Sequence, residues 1–188
     1  MGVSIIDKGE IVRAALDILR VQGLDAVSTR KLAEVLKVRG PALYHHYKNK
    51  QELLGDMANA IVSVPVASID PSLPWDAWSA AFAVAVRKAI LPYPDGARLL
   101  IAAWPSNEMR EQTIPRIEAP LIAAGFNPER SHEVTFLIAS AVIGWMLNEQ
   151  NPRIREFMEQ RFDLEHAFVR AVETILDGIR SQMLEGRS

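Results

Sequence analysis

Six cations fall between Arg30 and Lys50, namely Arg30, Lys31, Lys37, Arg39, Lys48 and Lys50, interleaved with Thr29, Tyr44, His45 and His46. A guanidinium can grip the O6/N7 edge of a guanine with two hydrogen bonds, and ammonium groups neutralise phosphates. Hydroxyl, phenol and imidazole groups add donors for phosphate oxygens. The two histidines are adjacent, so they point in different directions and cannot chelate one metal as an i, i+4 pair would. The chemistry offered here is recognition of a nucleic acid, not catalysis.

Those side chains need two helices to aim them. Ser28 is a helix N-cap residue, and Leu32, Ala33 and Leu36 follow at the spacing of one buried face. Lys37-Val38-Arg39-Gly40 reads as a turn with Val38 as its apolar plug. Gly40 and Pro41 open a second helix, expected over Pro41 to Tyr47 and anchored by Leu43 and Tyr47. A helix-turn-helix sends such a second helix into the DNA major groove. On that placement Arg30 is the candidate for bidentate reading of a guanine. Ala42 offers a methyl contact, and Gly40 permits only close backbone approach. Arg39 and His45 could reach bases or phosphates. A helical hairpin inside a bundle is the plain alternative, but a hairpin has no use for the cationic rim. Asn49 as N-cap with Glu52 three residues on starts a further helix, which puts Lys50 at a natural phosphate seat.

Thr29-Arg30-Lys31-Leu32-Ala33, then Val38, Pro41, Leu43-Tyr44, His46 and Lys50, resemble in order and spacing the DNA-binding domain of the tetracycline-repressor (TetR) family. The resemblance implies that Thr29, Tyr44, His46 and Lys50 contact phosphates. It also implies a double-stranded operator bound by a homodimer. Gly40 and Ala42 stand where the tetracycline repressors carry Gln and Thr, so a different operator is expected.

Charge is divided unevenly. Residues 1–55 hold nine Lys/Arg against six Asp/Glu, and residues 56–188 hold twelve against seventeen, within a formal net charge of −2. A basic module on an acidic remainder suits a DNA-binding unit (1–50) joined to a second domain (51–188). With 49% apolar and 23% charged residues the composition is globular, and the lack of cysteine excludes disulfides and thiolate metal sites. MGVSIIDKGE shows no leader pattern, and the expected location is cytoplasmic. The longest uncharged apolar run, Val134 to Leu147, is 14 residues, short of the roughly 20 a membrane span needs. It reads as a helix buried within a domain or between subunits.

Helical spacing accounts for the rest, and an all-α chain is expected. Asp7 with Glu10 caps a first helix over Lys8 to Gln22, with Ile11 or Val12, Ala15, Leu16 and Leu19 inward. The fourth helix should run from Lys50 to about Val64, ended or kinked by Pro65, before a loop to Pro74. Trp75 to Leu91 carries Trp75, Trp78, Phe82 and Val86 on one stripe. A turn at 92–96 and a short helix, Ala97 to Ala103, precede Trp104-Pro105. A helix over Asn107 to Ala124 is expected to be interrupted by Pro115 and Pro120. The helix opened by Asn127-Pro128-Glu129 contains the apolar run. After a short charged segment, the last helix runs from Leu164 to Met183, with Leu164, Phe168, Val172, Ile175, Ile179 and Met183 in its stripe.

Trp75, the Tyr93-x-Asp95-Gly96-Ala97 turn, Pro105 and Gly125-Phe126 resemble the regulatory domain of the tetracycline repressors. That implies a ligand cavity and a four-helix dimer interface near 129–150 and 164–183. Laid along those proteins, the position of their magnesium-binding His falls on Leu100, a Thr on Ala103, a drug-holding Asn on Phe82 and a Gln on Ile117. Leu and Ala offer no ligand to a metal, so no cofactor or metal is expected. The implied effector is small, mostly apolar or aromatic, and held by Trp75, Trp78, Phe82, Val86, Leu100, Ala103, Trp104, Ile117 and Trp145.

Two rivals remain. A DNA-binding adaptor or activator whose second domain only dimerises or binds protein would treat the tryptophans as core. An enzyme would need a site: His132 and His166 lie alone on separate helices, and no phosphate loop, HExxH or nucleophile elbow is present.

Overall fold

A computed structural model describes residues 6–185; the first residues of the leader reading lie outside the described residues. Ten α-helices and no strand occur among the described residues. Helix α1 (Lys8–Gln22) is held at its start by a reciprocal pair: Glu10 N donates to Asp7 Oδ1 at 2.7 Å and Asp7 N to Glu10 Oε2 at 3.1 Å. Its inward residues are Ile11, Ala14, Ala15, Ile18 and Leu19, so Ile11 rather than Val12 faces in, and Leu16 is only half-buried.

Helix α2 (Thr29–Leu36) packs on α1 and α3 (Gly40–Tyr44) on α2, with Leu32 and Leu43 buried. The regular part of α3 is shorter than expected, because His45 and His46 lie in the turn after it, where His46 N and Tyr47 N both donate to Leu43 O. Asn49 caps α4 (Lys50–Ser68), its Oδ1 accepting from Glu52 N at 3.0 Å, while Glu52 Oε2 accepts from Lys48 N at 2.9 Å.

Pro65 does not end α4, which continues to Ser68 with the buried ring inside it. The missing N–H forfeits one hydrogen bond to Ile61, and burial of Ile61, Val62, Pro65 and Val66 against neighbouring helices offsets it. Prolines fail to interrupt the later helix too. A π turn, Met109–Thr113, widens the chain so that Ile114 N donates to Met109 O just ahead of Pro115, and α7 (Ile114–Ala123) then runs through Pro120.

Between them lie α5 (Trp75–Ile90) and α6 (Gly96–Ala102). The long helix α8 (Pro128–Glu149) is followed by α9 (Pro152–Glu159), so the segment after Asn151 is helical where only a charged stretch was expected. Asn151 and Pro152 supply the cap and first turn, with Asn151 Oδ1 accepting from Arg153 N at 3.1 Å. On α10 (Leu164–Glu185) Phe168 and Leu176 are fully buried, and Ile175 is half-buried.

One continuous apolar core joins α1 to α10. Where α5 meets α8 and α10 it contains a charged cluster. Arg87 binds Glu149 at 2.6 and 2.9 Å and lies 5.1 Å over the Phe168 ring, and Trp145 Nε1 donates to Glu149 at 3.0 Å. The turn before α6 is fastened to the same place. Gln150 Nε2 donates to Tyr93 O at 2.6 Å, and its Oε1 accepts from Ala97 N at 3.1 Å.

Candidate nucleic-acid interface and ligand cavity

The helix-turn-helix gets its geometry from a few local choices. Ser28 Oγ accepts from Lys31 N at 3.2 Å, fixing the start of α2. Lys37 adopts a left-handed backbone (φ 55°), and Val38 N donates back to Ala33 O at 3.0 Å, folding Val38 against the core. Buried Tyr47 then ties the unit to α4, donating to Asp56 Oδ2 at 2.9 Å under the Lys8 ammonium, 5.0 Å from its ring. Burial, with help from that bond, raises the phenol's pKa well above its usual range and keeps it a donor.

With the apolar residues inside, the others face out. Arg30, Arg39, Tyr44, His45 and Lys50 are exposed, and Thr29, Gly40, Ala42 and His46 are half-buried. Tyr44 is 58% exposed, a large aromatic with no apolar burial to justify it. A Cβ added to Gly40 would meet nothing within 4 Å, so the fold itself does not require glycine there. The base-reading candidates lie on α2 and α3, and the phosphate candidates lie on α2, at and after the end of α3, and at the start of α4.

The second site is a cavity of about 620 Å³ walled by α4 to α8, a size that takes a small organic molecule. Phe82, Val86, Leu100, Ala103 and Ile117 line it. The four tryptophans do not. Trp78 is buried behind the wall, its ring 5.6 Å from that of Phe82, and Trp75 packs edge-on against Phe126 at 5.2 Å. Trp145 is engaged with Phe162, Phe168 and Glu149. Trp104 is 70% exposed and lines a separate cleft towards Tyr44, His46 and Lys48. Helical spacing gives the face a residue occupies but not which neighbour fills the space beyond it, and here packed aromatics fill it.

The structure adds wall residues that spacing alone did not bring forward, among them Met109, Thr113, Glu118, His132, Thr135 and Phe136. His132, Thr135, Phe136, Ala139 and Ile143 recur by threes and fours, a stripe that was legible as one face of α8. Leu100 and Ala103 offer no ligand atoms to a metal. Among the described residues no group of three or more His, Cys, Asp or Glu could hold a metal.

Two joints connect the sites. Thr113 Oγ1 donates to Asn59 Oδ1 at 2.8 Å, both buried, linking the cavity wall to α4. At Gly55 the 104–106 backbone crosses α4 so closely that a Cβ would stand 2.5 Å from Trp104 O. On the other side, Asp95 Oδ2 accepts from Leu24 N at 2.9 Å and Arg20 reaches Tyr93 OH at 3.3 Å, docking the α5–α6 turn on the DNA-binding unit.

A helix-turn-helix with an outward cationic face, carried on an all-helical domain with a cavity between its helices, is the architecture of a DNA-binding regulator. A family profile described as "Bacterial regulatory proteins, tetR family" matches residues 11–57. The tetracycline repressor protein class G of Vibrio anguillarum is 33% identical over 165 residues, covering 85% of this chain and 76% of that protein. Among solved structures, a variant of TetR from Acinetobacter baumannii AYE in complex with minocycline has a TM-score of 0.80 at 31% identity, covering 94% of this chain and 98% of that one. BioQ with its double-stranded DNA operator gives a TM-score of 0.73 at 28% identity, covering 92% and 97%. The chain belongs to the tetR family of bacterial transcriptional regulators. No helix among the described residues is long and apolar enough to cross a membrane.

Proposed function

We propose that the protein is a homodimeric repressor that binds a palindromic operator and is released by a small, mostly apolar effector occupying the 620 Å³ cavity. One observation carries the reading. Ala103 and Pro105 wall the cavity while the carbonyl of Trp104 between them touches α4 at Gly55, one and a half turns from Lys50. An occupant that displaces this segment displaces the helix whose first residue is a phosphate candidate. In a twofold dimer the two recognition helices must sit about 34–36 Å apart to enter successive major grooves, so a small tilt of α4 is enough to bias the dimer off DNA.

Dimerisation is supported by apolar surface. Phe136 is 76% exposed on α8, with Leu137 and Leu147 exposed on the same helix and Ile175 half-buried on α10. An isologous four-helix contact through α8 and α10 would cover them. The cavity favours an effector-responsive regulator over an adaptor that only dimerises. Its occupant differs from a magnesium–tetracycline chelate: Phe82, Leu100, Ala103 and Ile117 would face the drug's polar groups and metal with hydrocarbon, leaving each desolvated group short by about 1–3 kcal/mol. No step of the proposed mechanism turns over a substrate.

The test is operator selection from random DNA, then protection of the selected site with and without an effector. Release by a molecule bound in the cavity is the expected result. Unchanged protection at saturation by a molecule confirmed to sit there refutes the switch.

A further inference from the structure

The cavity is apolar except at one place, and elimination identifies it. Of the polar side chains on the wall, Thr113 is satisfied by Asn59, and Glu133 is paired with Arg130 at 2.7 Å. Glu118 on α7 and Thr135 on α8 remain, with His132 at the exposed edge of the cavity. The Glu118 side chain is 13% exposed, and its one partner among the described residues is the His132 imidazole, bound through Nδ1 to Oε1. Thr135 Oγ1 is buried with no hydrogen-bond partner. No Lys or Arg lines the cavity among the described residues. The imidazole engages one carboxylate oxygen, and Glu118 Oε2 has no partner among the described residues. A half-buried carboxylate with one oxygen unpartnered and a hydroxyl without a partner border the same apolar space; both can accept from a donor, and the carboxylate favours a positive one.

We infer that the effector carries a protonated amine at one end of an apolar body, received by Glu118 with Thr135 Oγ1 as a second acceptor. This rests on the reading of the cavity as the effector site and adds the effector's chemical class. The body lies along Phe82, Val86, Leu100 and Ile117, and the ammonium proton stays on nitrogen throughout. Specificity follows from the same arrangement: a carboxylate head would be repelled by Glu118, and an alcohol would leave its charge unmatched.

Equilibrium dialysis at pH 7.5 with two families of probes tests this. Decylamine, decanol and decanoate form one; 9-(aminomethyl)anthracene, 9-anthracenemethanol and 9-anthracenecarboxylate form the other. In at least one family the amine should bind tenfold or more tightly than the alcohol, with the carboxylate weakest. Glu118→Gln should bring the amine within threefold of the alcohol and leave the alcohol unchanged. Thr135→Val, which keeps the side chain's shape, should weaken the amine two- to fivefold and spare the alcohol; it decides the matter if Glu118→Gln does not fold. Binding without preference for the amine, or a preference that survives Glu118→Gln, overturns the inference and leaves the cavity as the effector site. No binding by any of the six probes overturns the cavity reading as well.

Discussion

The outward face of the helix-turn-helix is drawn from one stretch, Thr29 to Lys50, whereas the cavity wall is collected from six elements between Ala58 and Ile143. On the first surface fold and chemistry are carried by different residues. Leu32, Leu43 and Tyr47 hold the unit together from inside, and Arg30, Tyr44 and Lys50 face solvent. Around the cavity the same side chains do both, since Phe82, Val86 and Ile117 are core residues that also border the space. Substitutions should therefore separate stability from DNA binding in the first region and move stability and ligand binding together in the second.

The strongest way to probe that contrast is Arg87→Met. The Arg87 and Glu149 side chains are 12% and 2% exposed, so removing the guanidinium leaves a carboxylate buried beside only the Trp145 N–H. Breaking such a pair from one side costs about 3–5 kcal/mol. Urea denaturation should show that loss, while the base preferences of the protein that remains folded stay unchanged. A shift in preference would mean the regions are less separate than the packing indicates.

Gly55→Ala attacks the joint between them. Alanine is the better helix former by about 1 kcal/mol, but its methyl would collide with the Trp104 carbonyl, which is backbone and cannot rotate aside. The net expectation is a loss of about 1–3 kcal/mol and weaker effector-driven release from the operator. Stability unchanged and release intact would show that the 104–106 crossing transmits nothing.

On the recognition surface the effects should be smaller for stability and specific for DNA. Arg30→Ala should cost about 1–3 kcal/mol of operator binding and relax one base position. Lys50→Ala should weaken all sequences alike and lower the slope of log K against log salt by about one. Neither should alter the urea midpoint beyond a few tenths of a molar. Identical base preferences for both variants would undo the assignment.

How much could be read in advance follows the same division. Ser28, the Val38 plug and Asn49 act on residues three to five positions away, so local spacing was enough to locate α2, α3 and the start of α4. The helices run past Pro65, Pro115 and Pro120 because their local cost is outweighed by distant burial and a π turn, neither of which is written nearby. The tryptophans misled for a related reason: their helix faces were legible, but Phe126, Phe162 and Phe168 as partners were not. The bond between Glu118 and His132 joins two helices across 14 positions, and no pattern in either helix announces it.

The smallest effect on the fold, and the cleanest separation of fold from function, is expected at Gly40→Ala. This glycine opens α3 with an ordinary backbone, and an added Cβ would enter open space. Alanine should therefore leave stability unchanged or raise it by up to about 1 kcal/mol, through helix propensity and a more restricted unfolded chain. Its neighbour Arg39 is exposed and Ala42 is half-buried, and on the proposed docking the open space would face the groove. If the α3 backbone approaches a base or phosphate closely there, the methyl should cost several-fold in operator affinity while thermal stability holds. Gly40→Ser, with a donor in place of bare hydrogen, should recover part of that loss by reaching a phosphate. An operator affinity unchanged in both variants would mean that DNA does not come close to Gly40, and that the first turn of α3 tilts away from the groove with Arg30 and Tyr44 as its nearest contacts.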